Sequence, residues 1–315
     1  MTGPTKGRAG GLRIGIDLGG TKVAGIVFDA EDRVVAEHRV PAPRDDYRAT
    51  IAAIADMVQE LETTAGGTGT VGIGMPGSIS PVTGRVQGSN SVWLNGKPFA
   101  EDVDAALDRP VRLSNDANCF VLSEATDGAA ASAESVFGVI MGTGCGGGFV
   151  VRGRIVDGPN RCGGEWGHTP LPWATPDEHP GPLCWCGRHG CMETWISGSA
   201  LERDYSEAAG QSLRGPEIAE RADSDPDCRA ALDRHVSRLA RGLAMITNIL
   251  DPDVIVLGGG LSKLSHLYEQ VPEAMAPFIF AARPTVDIRP PMYGDASGDR
   301  GAARLWTVAE AAEQG

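Results

Sequence analysis

Two stretches of this chain repeat one pattern: an apolar strand, a glycine-rich turn and a second apolar strand. Residues 13–29 read RIGIDLGGTKVAGIVFD, and residues 135–153 read SVFGVIMGTGCGGGFVVRG. Short apolar runs broken by glycine predict hairpins, since glycine reaches positive φ without a steric penalty; Gly19-Gly20 is the turn expected in the first. The recurrence implies two halves of related architecture. Around the first hairpin, RVVAEHRVPAP continues as a third strand, and a helix opened at Asp46 or a neighbour carries Ile51, Ile54, Val58 and Leu61 at helical spacing. VGIGMP is a buried strand, and VRLSND is another that passes directly into the helix ANCFVLSEA. In the second half, Asp225 caps a helix with Pro226 in its first turn and Leu232, Val236, Leu239 and Leu243 on one face. That helix leads into the strand DVIVLGGG. The order of elements indicates a mixed α/β fold rather than a strictly alternating parallel sheet.

Composition narrows what such a fold is for. At 315 residues the chain can form two ordinary domains. A formal charge of −13 disfavours sequence-independent contact with nucleic acid. No apolar run approaches the ~20 residues of a membrane span. The opening MTGPTKGRAGG lacks the apolar stretch of a secretory signal, so a flexible tail over residues 1–12 and a cytoplasmic location are expected.

Three glycine-rich loops follow apolar strands: DLGGTK at 17–22, GTGCGGG at 142–148 and GGG at 258–260. Glycines there let backbone amides approach an anion, and a threonine hydroxyl adds a donor. Gly142, Gly144 and Gly147 fit the dinucleotide spacing GxGxxG, but a strand follows where that fingerprint demands a helix. Gly72, Gly74 and Gly77 fit it equally, and no GxxxxGK[ST] occurs. Asp17, beside the first loop, makes sense next to phosphate only with a cation between them, most simply Mg²⁺.

Of seven cysteines, three crowd into CWCGRHGC. Cys184, Cys186 and Cys191 with one histidine would make a closed tetrahedral zinc site, structural because no position is left for water. His168, His179, His189 and Cys162 all lie within reach as the fourth ligand.

Together GIDLGGTK, GMPGSIS, VRLSNDANC, GTGCGGG, GEWGHTPLPW, CWCGRHGCMET and DPDVIVLGGG make the chain resemble the ROK family (repressor, open reading frame, kinase), from Ile14 to Trp306. Within it, PRDDYRATI, PGSISPVTG, NSVWLNGKPF and GEWGHTPLPW look like the manno(fructo)kinase or fructokinase branch, although Thr169 stands where that branch often has Asn. The resemblance implies the actin-like, ribonuclease H-like ATPase fold. Its two α/β domains would flank a cleft: a small one over 13–117, to which a helix at 300–313 returns, and a large one over 118–299 containing the zinc loop 165–193.

The resemblance also implies an ATP-dependent hexose kinase acting on the 6-hydroxyl of fructose, or also mannose or glucose, and a homodimer. Asp116 would be the base, with Gly77, Asn90, Asn115, Glu165, His168 and Glu193 on the sugar. Asp17, Gly19, Gly20, Thr21, Lys22, Gly142, Thr143, Gly144, Gly146 and Gly259 would meet Mg-ATP. His168, Cys184, Cys186 and Cys191 would hold zinc. An N-acetylhexosamine kinase or glucokinase is the near alternative, differing in the room left at the sugar's second carbon. A sugar-responsive repressor is the distant one; such family members carry an N-terminal DNA-binding domain, and only thirteen residues precede Ile14 here.

Overall fold

The computed structural model describes residues 11–314, so residues 1–10 of the expected tail lie outside it, and Leu12 already belongs to a strand. The chain divides into two compact units. One comprises the chain up to Ser123, Asp157–Cys162 and the segment from Ala296 onward; the other comprises Glu124–Val156 and Gly163–Asp295.

In the first unit, β1 (Leu12–Leu18), β2 (Lys22–Phe28) and β3 (Val34–Pro41) form an antiparallel meander. Helix α1 (Tyr47–Ala65) is capped by Asp46, whose side chain accepts from the Ala49 N–H, and it buries Ile54, Val58 and Leu61. Strand β4 (Gly69–Met75) then pairs parallel to β1. A small ribbon of β5 (Ser78–Ile79) and β6 (Val86–Gln87) and helix α2 (Phe99–Leu107) precede β7 (Val111–Asn115), which is parallel to β4. The sheet order is β3-β2-β1-β4-β7. Helix α3 (Asp116–Thr126) follows β7 without a loop.

The second unit repeats the scheme. Strands β8 (Ser135–Met141), β9 (Cys145–Val151) and β10 (Arg154–Ile155) are the antiparallel part. Helices α4 (Glu193–Ile196), α5 (Gly198–Ala209), α6 (Gly215–Arg221) and α7 (Pro226–Leu250) intervene before β11 (Val254–Gly258). After α8 (His266–Met275) comes β12 (Ile288–Arg289). The order β10-β9-β8-β11-β12 carries the same senses of pairing as the first sheet, two antiparallel and then two parallel. The repeat read in the sequence is therefore a repeat of topology. Asp225 caps α7 through the Asp227 and Cys228 N–H groups, with Pro226 opening the helix.

Two expectations need correction. The last helix is two helices, α9 (Ser297–Ala303) and α10 (Val308–Gln314). The break is built by Thr307, whose hydroxyl accepts the Glu310 N–H while the Glu310 carboxylate accepts the Thr307 N–H, a reciprocal cap that starts a new helix. Gly19 and Gly20 are not at positive φ. Their turn closes instead by the Gly19 N–H donating to the Lys22 carbonyl at 3.0 Å.

What α9 requires is close approach. Gly15 and Gly72 sit opposite one another on β1 and β4, and a Cβ at either would lie 1.9 Å from a carbonyl of α9, Asp299 or Ala302. The two glycines make a flat patch on which the α9 backbone rests directly. No helix among the described residues is long and apolar enough to cross a membrane.

Candidate functional site

In the first unit, the closeness of α9 gathers acidic groups. Asp17 is the penultimate residue of β1, Asp116 starts α3, and Asp299 lies on α9; a Cβ at Gly298 would already lie 2.8 Å from the Asp17 carboxyl carbon. Burial, then the charges of Asp116 and Asp299, push the Asp17 carboxyl up to about 7, against the pull of Lys22 and Arg39. Asp299 rises to about 6, chiefly by burial. Carboxylates held in this way keep their protons more tightly than free ones, and a cation among them would favour their joint ionisation. Mg²⁺ with its waters has the hard-oxygen chemistry for Asp17, the residue expected to meet it.

Asp116 occupies the strand-to-helix junction because β7 runs into α3 with no intervening residue. Its Oδ1 accepts the Ala117 N–H at 2.8 Å, and the same N–H reaches Asn115 Oδ1 at 2.9 Å. Burial raises the Asp116 carboxyl, while these bonds and the helix start favour its anion. Asn115 is fixed at its other end, donating from Nδ2 to the Gly77 carbonyl at 3.3 Å. Gly77 has φ of 78°, and a Cβ there would lie 2.4 Å from the Gln87 carbonyl. Asn90 is exposed on the adjoining loop. That loop is clamped by Asn95, which accepts the Ser89 N–H and donates to the Ser89 carbonyl. Thr21 is exposed and Lys22 half-buried.

The second unit carries the other expected residues. Gly142, Thr143, Gly144 and Gly146 form the turn and first part of the β8–β9 hairpin. Gly142 donates to the Gly144 carbonyl and accepts the Gly198 N–H, while Ser199 donates to the Thr143 carbonyl. A Cβ at Gly144 would lie 2.6 Å from Glu193 Oε2, so the glycine admits the carboxylate rather than relaxing the backbone. Gly259, at φ of 77°, packs against Met141 at the end of β8.

Glu193 is held by both oxygens. Oε2 accepts the Cys145 N–H at 3.0 Å and Oε1 accepts the Trp185 indole N–H at 2.7 Å. The Trp185 ring in turn meets His168 edge to face, centroids 4.9 Å apart. Glu165 precedes the 3₁₀ turn Trp166–His168, which the Trp166 side chain anchors through Nε1 to the Gly146 carbonyl.

His168, Cys184, Cys186 and Cys191 come together with one ligand atom each, all within 4.8 Å of one another. Cys186 and Cys191 sulfurs are 3.6 Å apart, and His168 Nδ1 lies 3.5 Å from Cys184 sulfur. Tetrahedral zinc with ordinary bond lengths separates two thiolates by about 3.8 Å and thiolate from imidazole by about 3.6 Å. The donor set fits the ion. His189 is turned away, its Nδ1 on the Gly181 carbonyl, and Cys162 is exposed. All seven cysteines are free thiols.

Asp299, Asn95 and Trp185 escape a reading of the sequence. Asp299 alone left a signal, the small-residue spacing of Gly298, Gly301 and Ala302 that marks a closely packed helix.

The profile of the ROK family matches residues 13–309. An N-acetyl-D-glucosamine kinase of Shigella flexneri is 40% identical over 296 residues, covering 92% of this chain and 98% of that one. The crystal structure of a ROK hexokinase from Thermus thermophilus superposes with a TM-score of 0.81 at 33% identity, over 93% of this chain and 96% of that one. A ROK family glucokinase from Streptomyces griseus, in complex with glucose and AMPPNP, gives 0.79 at 28% identity, over 97% and 100%. The fructokinase branch expected from the sequence finds no support in these relatives.

Proposed function

The chain belongs to the ROK family and has its actin-like ATPase fold, and on that premise we propose that it is an ATP-dependent kinase of N-acetylhexosamines, with N-acetylglucosamine the first candidate. The name of the Shigella relative supports the sugar, and fructose is set aside accordingly. The observation that carries the chemistry is Asp116: a carboxylate at a helix start, its titration raised by burial, flanked by an asparagine pinned at both ends.

Asp116 accepts the proton of the sugar's 6-hydroxyl as that oxygen bonds to the γ-phosphorus, the bond from phosphorus to the β–γ bridging oxygen breaks, and ADP leaves. In a loose transition state the proton moves late, so orientation of the hydroxyl by Asp116 matters more than basicity. Asn115, Asn90, Gly77, Glu165, His168 and Glu193 are assigned to the sugar. The glycine turns at 19–22, 142–146 and 259 are assigned to Mg-ATP, with Asp17 facing the magnesium. Zinc held by His168, Cys184, Cys186 and Cys191 would supply a rigid positive centre that keeps the thiols deprotonated and the His168 ring oriented. Work in the cytoplasm, where ATP is supplied and thiols stay reduced, suits seven free cysteines.

A coupled ADP-release assay with Mg-ATP over N-acetylglucosamine, N-acetylmannosamine, glucose and fructose tests the reading. We expect the highest kcat/KM with an N-acetylated sugar. Preference for fructose, or turnover of none, would refute it.

A further inference from the structure

A cavity of about 280 Å³ opens beside the junction of β7 and α3, within the first unit. Asn115 forms part of its wall, so it adjoins the residue that precedes Asp116. The rest of the wall is mixed. Met75, Ile79, Ala100 and Leu113 are among its apolar members, and Ser78 and Asn118 are polar. The ion pair of Asp157 and Arg161 adds charge.

Asn118 is the unusual member. It lies in the first turn of α3 and is 4% exposed, yet its amide oxygen has no hydrogen-bond partner. Asn115, three residues earlier, has both amide ends engaged. A buried amide is normally satisfied, and leaving one unpaired destabilises the fold. Such violations of folding logic concentrate where a ligand completes the structure.

We propose that this cavity is the subsite for an acylamino group on the second carbon of the hexose, with Asn118 as its hydrogen-bonding partner and Met75, Ile79 and Leu113 enclosing the acyl methyl; this rests on the kinase reading above. A secondary amide beside a methyl group matches a cavity that Asn118 shares with Met75, Ile79 and Leu113. A hydroxyl at the same carbon would leave the apolar part empty and Asn118 unpaired. Loss of a hydrogen bond together with a buried methyl is worth on the order of a hundredfold or more in kcat/KM. The cavity therefore selects 2-acylamino hexoses over glucose or fructose.

The test measures kcat/KM for N-acetylglucosamine and for glucose with the wild type, Asn118→Leu and Ala100→Leu. Asn118→Leu keeps the side-chain size and removes the unpartnered polar atom, so its melting temperature should match or exceed that of the wild type. Ala100→Leu fills the cavity from α2 and leaves Asn118 intact. We expect the ratio of kcat/KM, N-acetylglucosamine over glucose, to fall at least tenfold in both. Calorimetric binding of N-acetylglucosamine without nucleotide should weaken in parallel. An unchanged ratio in variants that melt normally would overturn the subsite. Wild-type turnover of glucose alone would overturn it and leave a sugar kinase standing, whereas turnover of neither sugar would sink the kinase reading itself.

Discussion

Substitution of Glu178 probes how the metal-bearing loop is held. Glu178 ends a short 3₁₀ turn that leads towards CWCGRHGC, and it is 7% exposed. Its carboxylate accepts from Arg241 at 2.7 and 2.8 Å, from Arg238 at 3.0 Å and from the Thr175 N–H at 3.0 Å. Both arginines project from α7 and are nearly buried. Arg238 keeps a second anion, Asp204 at 2.7 Å, and lies over the Trp195 ring. Without Glu178, Arg241 would keep only the carbonyls of Trp173 and Ser237. Glu178→Gln thus strands one buried guanidinium, and breaking a buried pair in this way costs about 3–5 kcal/mol. For a unit of this size that lowers the melting temperature by roughly 10 °C, at about 2–4 °C per kcal/mol. Burial alone would raise the Glu178 titration; the bonds from Arg241, Thr175 and Arg238 outweigh it and hold the group at about 2. A folded-state pKa below the ordinary 4.5 means the stabilisation is complete above that pH and is lost as pH falls towards 2. Calorimetric melting from pH 7 to pH 3 should show an acid-sensitive component in the wild type that Glu178→Gln lacks. A loss below about 1 kcal/mol at pH 7, or identical acid profiles, would refute this reasoning.

Zinc should be retained at one per chain and be lost in Cys184→Ser, with a lower melting temperature and weaker sugar binding; an apoprotein that binds sugar normally would break the link through His168. Trp185→Phe keeps a ring against His168 but removes the donor to Glu193 Oε1, so sugar KM should rise roughly tenfold with kcat and zinc content little changed; an unchanged KM would show that Glu193 needs no such support. Asp17 titrates at about 7 against an ordinary 3.8, so the folded state holds its proton more tightly. Its contribution to nucleotide-free stability is full below 3.8 and lost as pH rises through 7. Asp17→Asn should flatten that decline in a thermal-melt series from pH 4 to pH 8, and an unaltered slope would place the origin elsewhere.

Much of this architecture was legible because local signals and tertiary packing agree. The two hairpins are apolar runs interrupted by glycine, and α7 opens where Asp225 and Pro226 say it should. The Cys₃His set was legible because its thiols are close in sequence. Resemblance, rather than spacing, separated His168 from His189. What the sequence concealed depends on approach between distant segments. Gly15 and Gly72 look like ordinary strand glycines until α9 rests on them, and only that contact brings Asp299 to Asp17. Thr307 splits the final helix through a cap that an alanine-rich run obscures. Asn118 reads as one more residue of NDANC; its unpartnered amide exists only in the folded wall.

Steady-state kinetics of Asp116→Asn with Mg-ATP and N-acetylglucosamine bear most directly on whether this carboxylate performs the transfer. We expect kcat to fall by ~10³ or more while sugar KM stays within a few fold, the signature of an interaction made chiefly in the transition state. A kcat near that of the wild type would contradict it.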